Sequence, residues 1–155
     1  MKSLQQLCEP RANVFDSQRR DTVLDLTDLI NDRIKPDEFF DENFITDGMK
    51  TLFKHGFRRL EGKPSQGVFK LKQAMGGGKT HNLLALGLLA KHPEFRDRVM
   101  SGDNKPDPNL GPVKVVAFSG RESDAPYGLW GAIAEQMGKK ELFKDLYSPL
   151  QAPGQ

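Results

Sequence analysis

The chain has 155 residues, a length that suits one compact domain with its own hydrophobic core. Charged residues make up 28% and hydrophobic residues 37%, proportions that exclude a wholly disordered chain and a membrane protein. The 23 Lys and Arg residues nearly balance the 21 Asp and Glu residues, so the formal charge is only +2. This charge excludes a strongly basic nucleic-acid wrapper as a description of the whole chain, although a local basic face remains open.

Cys8 is the one cysteine, which excludes an internal disulfide framework and a multi-cysteine zinc site. The longest apolar run, Leu83 to Ala90, has eight residues, whereas a transmembrane helix needs about 20. The N-terminus lacks the apolar stretch of a signal peptide. We therefore expect a cytoplasmic protein of a prokaryote-like cell, with no membrane partner.

Residues 1–45 form a charged, Phe-rich segment for which the pattern predicts helices. One helix is predicted over Thr22 to Ile34, where apolar residues recur at helical spacing. Asp21 is its predicted N-cap and Pro36 its predicted end. This segment is expected to precede the domain that carries the chemistry, which we place at residues 46–155.

Residues 46–60 are predicted to form an amphipathic helix capped by Thr46 or Asp47. Its apolar stripe consists of Met49, Leu52, Phe53, Phe57 and Leu60. Lys50, Lys54 and Arg58 recur every four residues on another face. The ordinary interpretation of this basic face is a solvated surface, and the alternative is contact with a DNA backbone or an acidic partner.

The remaining pattern predicts strand, turn, helix, loop and strand. Val68 to Lys72 is the first predicted strand, Lys79 to Lys91 a helix that is apolar almost all round, and Val113 to Phe118 a buried strand. A further helix is predicted at about 127–137. A strand, helix and strand in this order form a βαβ unit, so the predicted fold class is α/β.

A glycine-rich turn lies between the first strand and the apolar helix, where a phosphate-binding loop would lie. Its predicted nucleotide-binding residues are Ala74, Met75, Gly76, Gly77, Gly78, Lys79, Thr80 and His81. Glycines let backbone N–H groups converge on an anion, and the helix N-terminus adds positive charge. Lys79 would contact the β- and γ-phosphates, and the Thr80 hydroxyl would bind Mg²⁺. These two residues are the predicted catalytic groups.

The loop departs from the common pattern G-x-x-x-x-G-K-S/T at one place. The first glycine of that pattern falls at Gln73, which puts the first turn of the loop in question but not the phosphate-binding part. The alternative interpretation is a glycine-rich turn that binds no ligand, although such a turn gains nothing from a following Lys-Thr pair.

The stretch from Gly67 to Pro93 resembles the phosphate loop of a group of large prokaryotic AAA+ ATPases long labelled a domain of unknown function. Cys8 to Arg11, Asn43 to Lys50 and Tyr127 to Gly131 resemble the same group. The resemblance implies ATP rather than GTP and a homo-oligomeric full-length protein several times longer than this chain. It also implies a context of anti-phage defence islands, with other defence subunits or DNA as partners.

Other residues have both an ordinary and a functional interpretation. His81 is either a packed or capping histidine or a contact near the metal or γ-phosphate. Phe44, Ile45 and Met49 are either core residues or, as the resemblance implies, a surface for adenine. Arg121 is either an ordinary loop arginine or a phosphate contact after the second strand. His55, His92 and Cys8 are expected to have no catalytic or metal-binding role.

We therefore predict a three-layer P-loop NTPase core with an incomplete parallel sheet, preceded by an N-terminal helical segment. Its expected function is ATP binding with Mg²⁺, as a module of an AAA+-like ATPase. The alternatives are a nucleotide-gated scaffold that binds ATP without hydrolysis and a small-molecule P-loop kinase.

Such ATPases hold Mg²⁺ and orient water with an acidic residue that follows a second apolar strand. Here Val115 to Phe118 is followed by Ser119, which is not acidic. We therefore expect the acidic residue beyond Gln155, and no ATP turnover by these residues alone.

Overall fold

A computed structural model describes residues 3–10, 15, 23–72, 74, 76–120 and 127–146. The described elements are α1 (Leu4–Leu7), α2 (Leu26–Ile30), α3 (Pro36–Glu42), α4 (Asp47–Leu60), α5 (Lys79–Lys91), α6 (Arg96–Val99), α7 (Gly128–Gln136) and α8 (Lys140–Leu146). Short 3-10 turns cover Pro93–Phe95 and Gly102–Asn104. The described part of the chain is therefore helical.

The predicted α/β class, and with it the three-layer P-loop core, is wrong, because no strand or sheet occurs among the described residues. Val68–Lys72 and Val113–Phe118 do not pair with another strand. Along Val113–Phe118, groups of helices α5 and α7 form the hydrogen bonds that a neighbouring strand would otherwise form. The Val113 N–H donates to Ala90 O at 2.8 Å. Ala117 donates to Gln136 Oε1 at 2.9 Å and accepts from Gln136 Nε2 at 2.7 Å.

The predicted helix over Thr22 to Ile34 is also wrong in its extent. The described helix α2 begins at Leu26, because Asp25 and Asp28 form a reciprocal capping box at its N-terminus. Asp21 and Thr22 lie outside the described residues. Pro36 does not end a helix but begins α3. A proline suits the first position of a helix because the N–H it lacks has no helical partner there.

The predictions for α4, α5 and α7 are confirmed to within a residue or two. Thr46 caps α4 through its hydroxyl, which accepts from the Met49 N–H at 3.3 Å. Helix α4 buries one stripe, consisting of Met49, Leu52, Phe53, Gly56 and Phe57. Leu60, predicted to lie on that stripe, is 44% exposed. Helix α5 buries Leu84, Ala85, Gly87, Leu88, Leu89 and Ala90.

One hydrophobic core joins these helices. Its buried members are Leu29, Ile34, Phe39, Phe40, Met49, Phe53, Phe57, Leu84, Ala85, Leu88, Leu89 and Met100. The cluster draws on α2, α3, α4 and α5, and α5 packs against both α2 and α4. Helix α5 is therefore the central element of the described fold.

Helices α2 and α5 approach closely at Gly87. A methyl group built on Gly87 would overlap Leu29 Cδ2, and the Leu29 side chain is only 2% exposed. Four residues further along α5, Lys91 Nζ donates to Leu29 O at 2.9 Å and forms an ion pair with Asp32. The hydrogen bond from Lys91 lowers the pKa of Asp32. This end of α5 is thus attached to α2 by packing and by a hydrogen bond, and to the turn after α2 by charge.

Arg96 is the one charged residue described as buried, with 5% exposure. Its Nε donates to Leu89 O at 2.8 Å, and its Nη2 donates to Ala90 O and Gly111 O, each at 3.0 Å. Its Nη1 donates to Leu110 O, and the guanidinium carbon lies 4.9 Å from the centre of the Phe57 ring. Burial lowers the pKa of Arg96, an effect that Glu94 partly offsets.

Helices α7 and α8 form a hairpin that carries exposed apolar side chains. Tyr127 and Phe143 pack edge to face across it, with ring centres 6.4 Å apart. Its exposed apolar residues are Leu129, Trp130, Met137 and Leu142. Trp130, the only tryptophan of the chain, is 50% exposed.

We expect Gly87→Ala to lower the free energy of unfolding by about 1–2 kcal/mol, because the new methyl group overpacks against the buried Leu29. Gly56→Ala is the matched control, because its methyl group would lie 3.4 Å from Leu86 Cδ1. The control should be neutral or stabilising by up to about 1 kcal/mol, since alanine favours a helix interior. Urea denaturation measures both values, and equal effects would argue against a close approach at Gly87.

We expect Arg96→Met to lower the free energy of unfolding by about 3 kcal/mol or more, because the carbonyls of Leu89, Leu110 and Gly111 lose the donor described for them, whereas Ala90 O keeps the Val113 N–H. Arg98→Met is the control, because Arg98 lies on the same helix and forms an exposed ion pair with Asp41. Its cost should stay below about 1 kcal/mol. Similar losses in the two variants, measured by urea denaturation, would contradict the role given to Arg96.

Candidate phosphate-binding site

The predicted loop leads directly into α5. Gly76 and Gly78 have φ values of +79° and +74°, and a methyl group built on either would meet nothing within 4 Å. The Gly77 N–H donates to Ala74 O at 3.1 Å and closes a tight turn. Positive φ is the region in which only glycine is unstrained. The glycines are thus required by backbone conformation rather than by crowding.

Gly78 occupies the N-cap position of α5 and provides no side chain to cap it. Asn82 N–H donates to Gly78 O at 2.9 Å, the first bond of the helical ladder. The N–H groups in the first turn of α5, before Asn82, have no carbonyl four residues earlier within the helix to which they could donate. Together with the helix dipole, they make this helix end favourable for an anion.

Lys79 and Thr80 follow in the first turn of α5. Lys79 Nζ donates to Ala74 O at 2.9 Å, so its ammonium group curls back over the loop. The Thr80 residue is exposed. Among the described residues, no group of three or more His, Cys, Asp or Glu side chains could hold a metal ion. The Mg²⁺ predicted at Thr80 stays a prediction.

His81 is half-buried, and its ring stacks on that of Phe39, with centres 5.2 Å apart and planes 27° apart. Sequence analysis did not identify Phe39, which lies on α3 and is 3% exposed. No local pattern links two residues so far apart in the chain. Met75, a predicted nucleotide-binding residue, and Gln73 lie outside the described residues.

The residues predicted to surround adenine have different environments. Met49 is 5% exposed and belongs to the core, and Ile45 packs against the core. Phe44 is 85% exposed. Only Phe44 therefore presents a whole apolar side chain to solvent.

The predicted basic face of α4 is partly neutralised, because Lys50 Nζ lies 2.9 Å from Asp47 Oδ1. Lys54 is half-buried, and Arg58 is exposed. Arg121, the predicted phosphate contact after Phe118, lies outside the described residues.

The remaining candidates have ordinary contacts. His55 Nδ1 lies 3.2 Å from Ser65 Oγ, and His92 Nδ1 lies 3.4 Å from Glu94 Oε1. Cys8 is a free, exposed thiol.

A groove of about 360 Å³ lies at the other end of α5. It is lined by Ile30, Lys91, Pro112, Val113, Lys114, Val115 and Gln136. None of these residues belongs to the predicted site. The glycine-rich loop is therefore a separate feature of the protein surface.

None of the helices described is long and apolar enough to cross a membrane.

Comparison with known proteins places this sequence in a family. No curated protein matches the chain, and no solved structure matches it. The model of the DUF499 N-terminal domain matches residues 4–109, a stretch that includes the loop, α5 and the core helices. Because this match covers more than half of the chain, the chain belongs to the DUF499 family and contains its N-terminal domain.

Proposed function

We propose that the loop from Ala74 to Thr80 binds the phosphates of ATP, with Mg²⁺ at the Thr80 hydroxyl. The observation that carries the proposal is the pair of left-handed glycines, which leads into the uncapped N-terminus of a long helix. Phosphate fits such a place because backbone amides, the helix dipole and an ammonium group all favour negative charge.

The position of Lys79 supports the proposal further. Its ammonium group already lies at the loop, 2.9 Å from Ala74 O. A short movement of this flexible side chain would exchange a neutral carbonyl for a charged phosphate. Charge-assisted hydrogen bonds are roughly twice as strong as neutral ones, so the exchange favours the bound state.

The proposed phosphate-binding loop does not need a β-sheet behind it. The groups that would bind the phosphates belong to the loop and to the first turn of α5. Helix α5 is held by the core, which buries six of its residues. The proposed site is therefore local, with the helical core as its support.

We further propose, from the resemblance of the loop and its flanks to AAA+ ATPases, that the module serves an ATPase in a longer, homo-oligomeric cytoplasmic protein. In this proposal that protein acts in an anti-phage defence system, with other subunits or DNA as partners. A nucleotide-gated scaffold is the alternative, and phosphate release by the longer protein separates the two, because no turnover is expected from these 155 residues alone. Release that depends on Lys79 supports hydrolysis, whereas ATP binding without release supports the scaffold.

We expect Lys79→Ala to weaken the binding of MgATP about 10- to 150-fold, because a charge-assisted contact contributes about 1.5–3 kcal/mol. Isothermal titration calorimetry of the 155-residue chain measures this loss. Lys139→Ala is the matched control, because it removes the same charge from the exposed turn between α7 and α8. Equal affinity in the wild-type chain and Lys79→Ala would remove Lys79 from the proposed site.

We expect Gly78→Ala to weaken MgATP binding about 5- to 30-fold without unfolding the core. Its methyl group would meet open space, but the φ of +74° disfavours alanine, at a cost of about 1–2 kcal/mol. The variant therefore changes the loop conformation and leaves its charge unchanged. Unchanged affinity, with circular dichroism showing a folded chain, would mean that this conformation does not form the site.

A further inference from the structure

The stack of His81 on Phe39 connects the first turn of α5 to the core. Phe39 is 3% exposed, and its ring also packs edge to face against Phe40, with ring centres 5.3 Å apart. The surface on which His81 lies is therefore fixed by buried neighbours. Aromatic rings with centres 4.5–7 Å apart attract each other beyond the effect of burial alone.

The rest of the first turn has less support from the core. The buried residues of α5 begin at Leu84, whereas Thr80 and Leu83 are exposed. Glycines 76 and 78 have open space around them. Helix ends fray where packing is weak. The stack is therefore well placed to keep the beginning of α5 helical.

We propose that His81 is a positioning residue of the phosphate-binding loop and not a ligand of the nucleotide. Its ring, held against Phe39, keeps the first turn of α5 in place. The amides of that turn and the Lys79 ammonium group then converge on one point. This inference rests on the proposed function, because it assigns a task to His81 within the same site.

The proposal requires the flat aromatic face of the His81 ring but not its nitrogen atoms, and substitutions can test these two requirements separately. A ligand must use a ring nitrogen to reach phosphate or metal, whereas a positioning residue needs only the flat face of the ring. Phenylalanine keeps the face and lacks the nitrogens, and alanine lacks both. His81→Phe and His81→Ala therefore form a matched pair, and both replace a half-buried side chain outside the core cluster.

Calorimetry with MgATP is the first measurement. We expect His81→Ala to bind about 3- to 10-fold more weakly than the wild-type chain, in keeping with the loss of one aromatic contact. His81→Phe should bind within about 2-fold of the wild-type chain. Equal weakening in both variants would show that a ring nitrogen acts on the ligand, and the proposal would be wrong.

Amide hydrogen exchange without nucleotide is the second measurement. We expect His81→Ala to speed exchange at the amides of residues 82–85, whose helical acceptors are the carbonyls of residues 78–81, and to leave residues 87–90 unchanged, with His81→Phe restoring the wild-type rates. A histidine that acts only as a ligand would not alter exchange in the empty protein. Equal rates in the wild-type chain and His81→Ala would overturn the proposal.

The two measurements also distinguish this inference from the proposed function. A wild-type chain that binds no MgATP would refute the proposed function, whatever the exchange rates. A wild-type chain that binds MgATP, with no change in affinity or exchange in His81→Ala, would refute only the positioning role.

Discussion

Arg96 makes the contact on which the rest of the described structure depends. Its donors bond Leu89 and Ala90, in the last turn of α5, and also Leu110 and Gly111, in the segment that follows. Carbonyls at a helix C-terminus have no partner within the helix and carry its partial negative charge. A buried cation at this place is therefore stabilised by the helix end itself. The same contact provides the buried Leu89 O with a donor, whereas Ala90 O also accepts from the Val113 N–H.

This contact and the proposed site lie at opposite ends of one helix. The C-terminal end of α5 is held by Arg96 and by the attachment of Lys91 to α2. The middle of α5 is held by the core. Its N-terminal end leads out of the loop and is supported by the stack on Phe39. A loop on such a helix has a rigid support without a sheet, because α5 is fixed along its length.

The sequence predicted the features that depend on local chemistry. Periodicity and hydrogen bonding within a few residues explain three of these features: the apolar stripe of α4, the buried length of α5 and the cap at Thr46. The positive φ values of Gly76 and Gly78 agree with the expected glycine-rich turn. The wrong predictions concern long-range pairing. A β-branched segment such as Val113–Phe118 becomes a strand only beside another strand, and here Gln136 bonds Ala117 instead. Phe39 could not be identified, because its partner His81 is distant in sequence. Arg96 could not be identified, because its acceptors are backbone carbonyls 6 to 15 residues away, which no side-chain pattern marks.

The exposed position of Trp130 on α7 determines which part of the protein is monitored by intrinsic fluorescence. As the only tryptophan, and half-exposed on α7, it dominates the intrinsic fluorescence of the chain. The core around α4 and α5 has phenylalanine as its aromatic residue and contributes almost no emission. Tryptophan fluorescence therefore follows the environment of the α7–α8 hairpin, whereas the helical signal in far-ultraviolet circular dichroism comes from all the helices, of which α4 and α5 in the core are the longest described. Any difference between the two unfolding curves would reveal whether the hairpin separates from the core before the core unfolds.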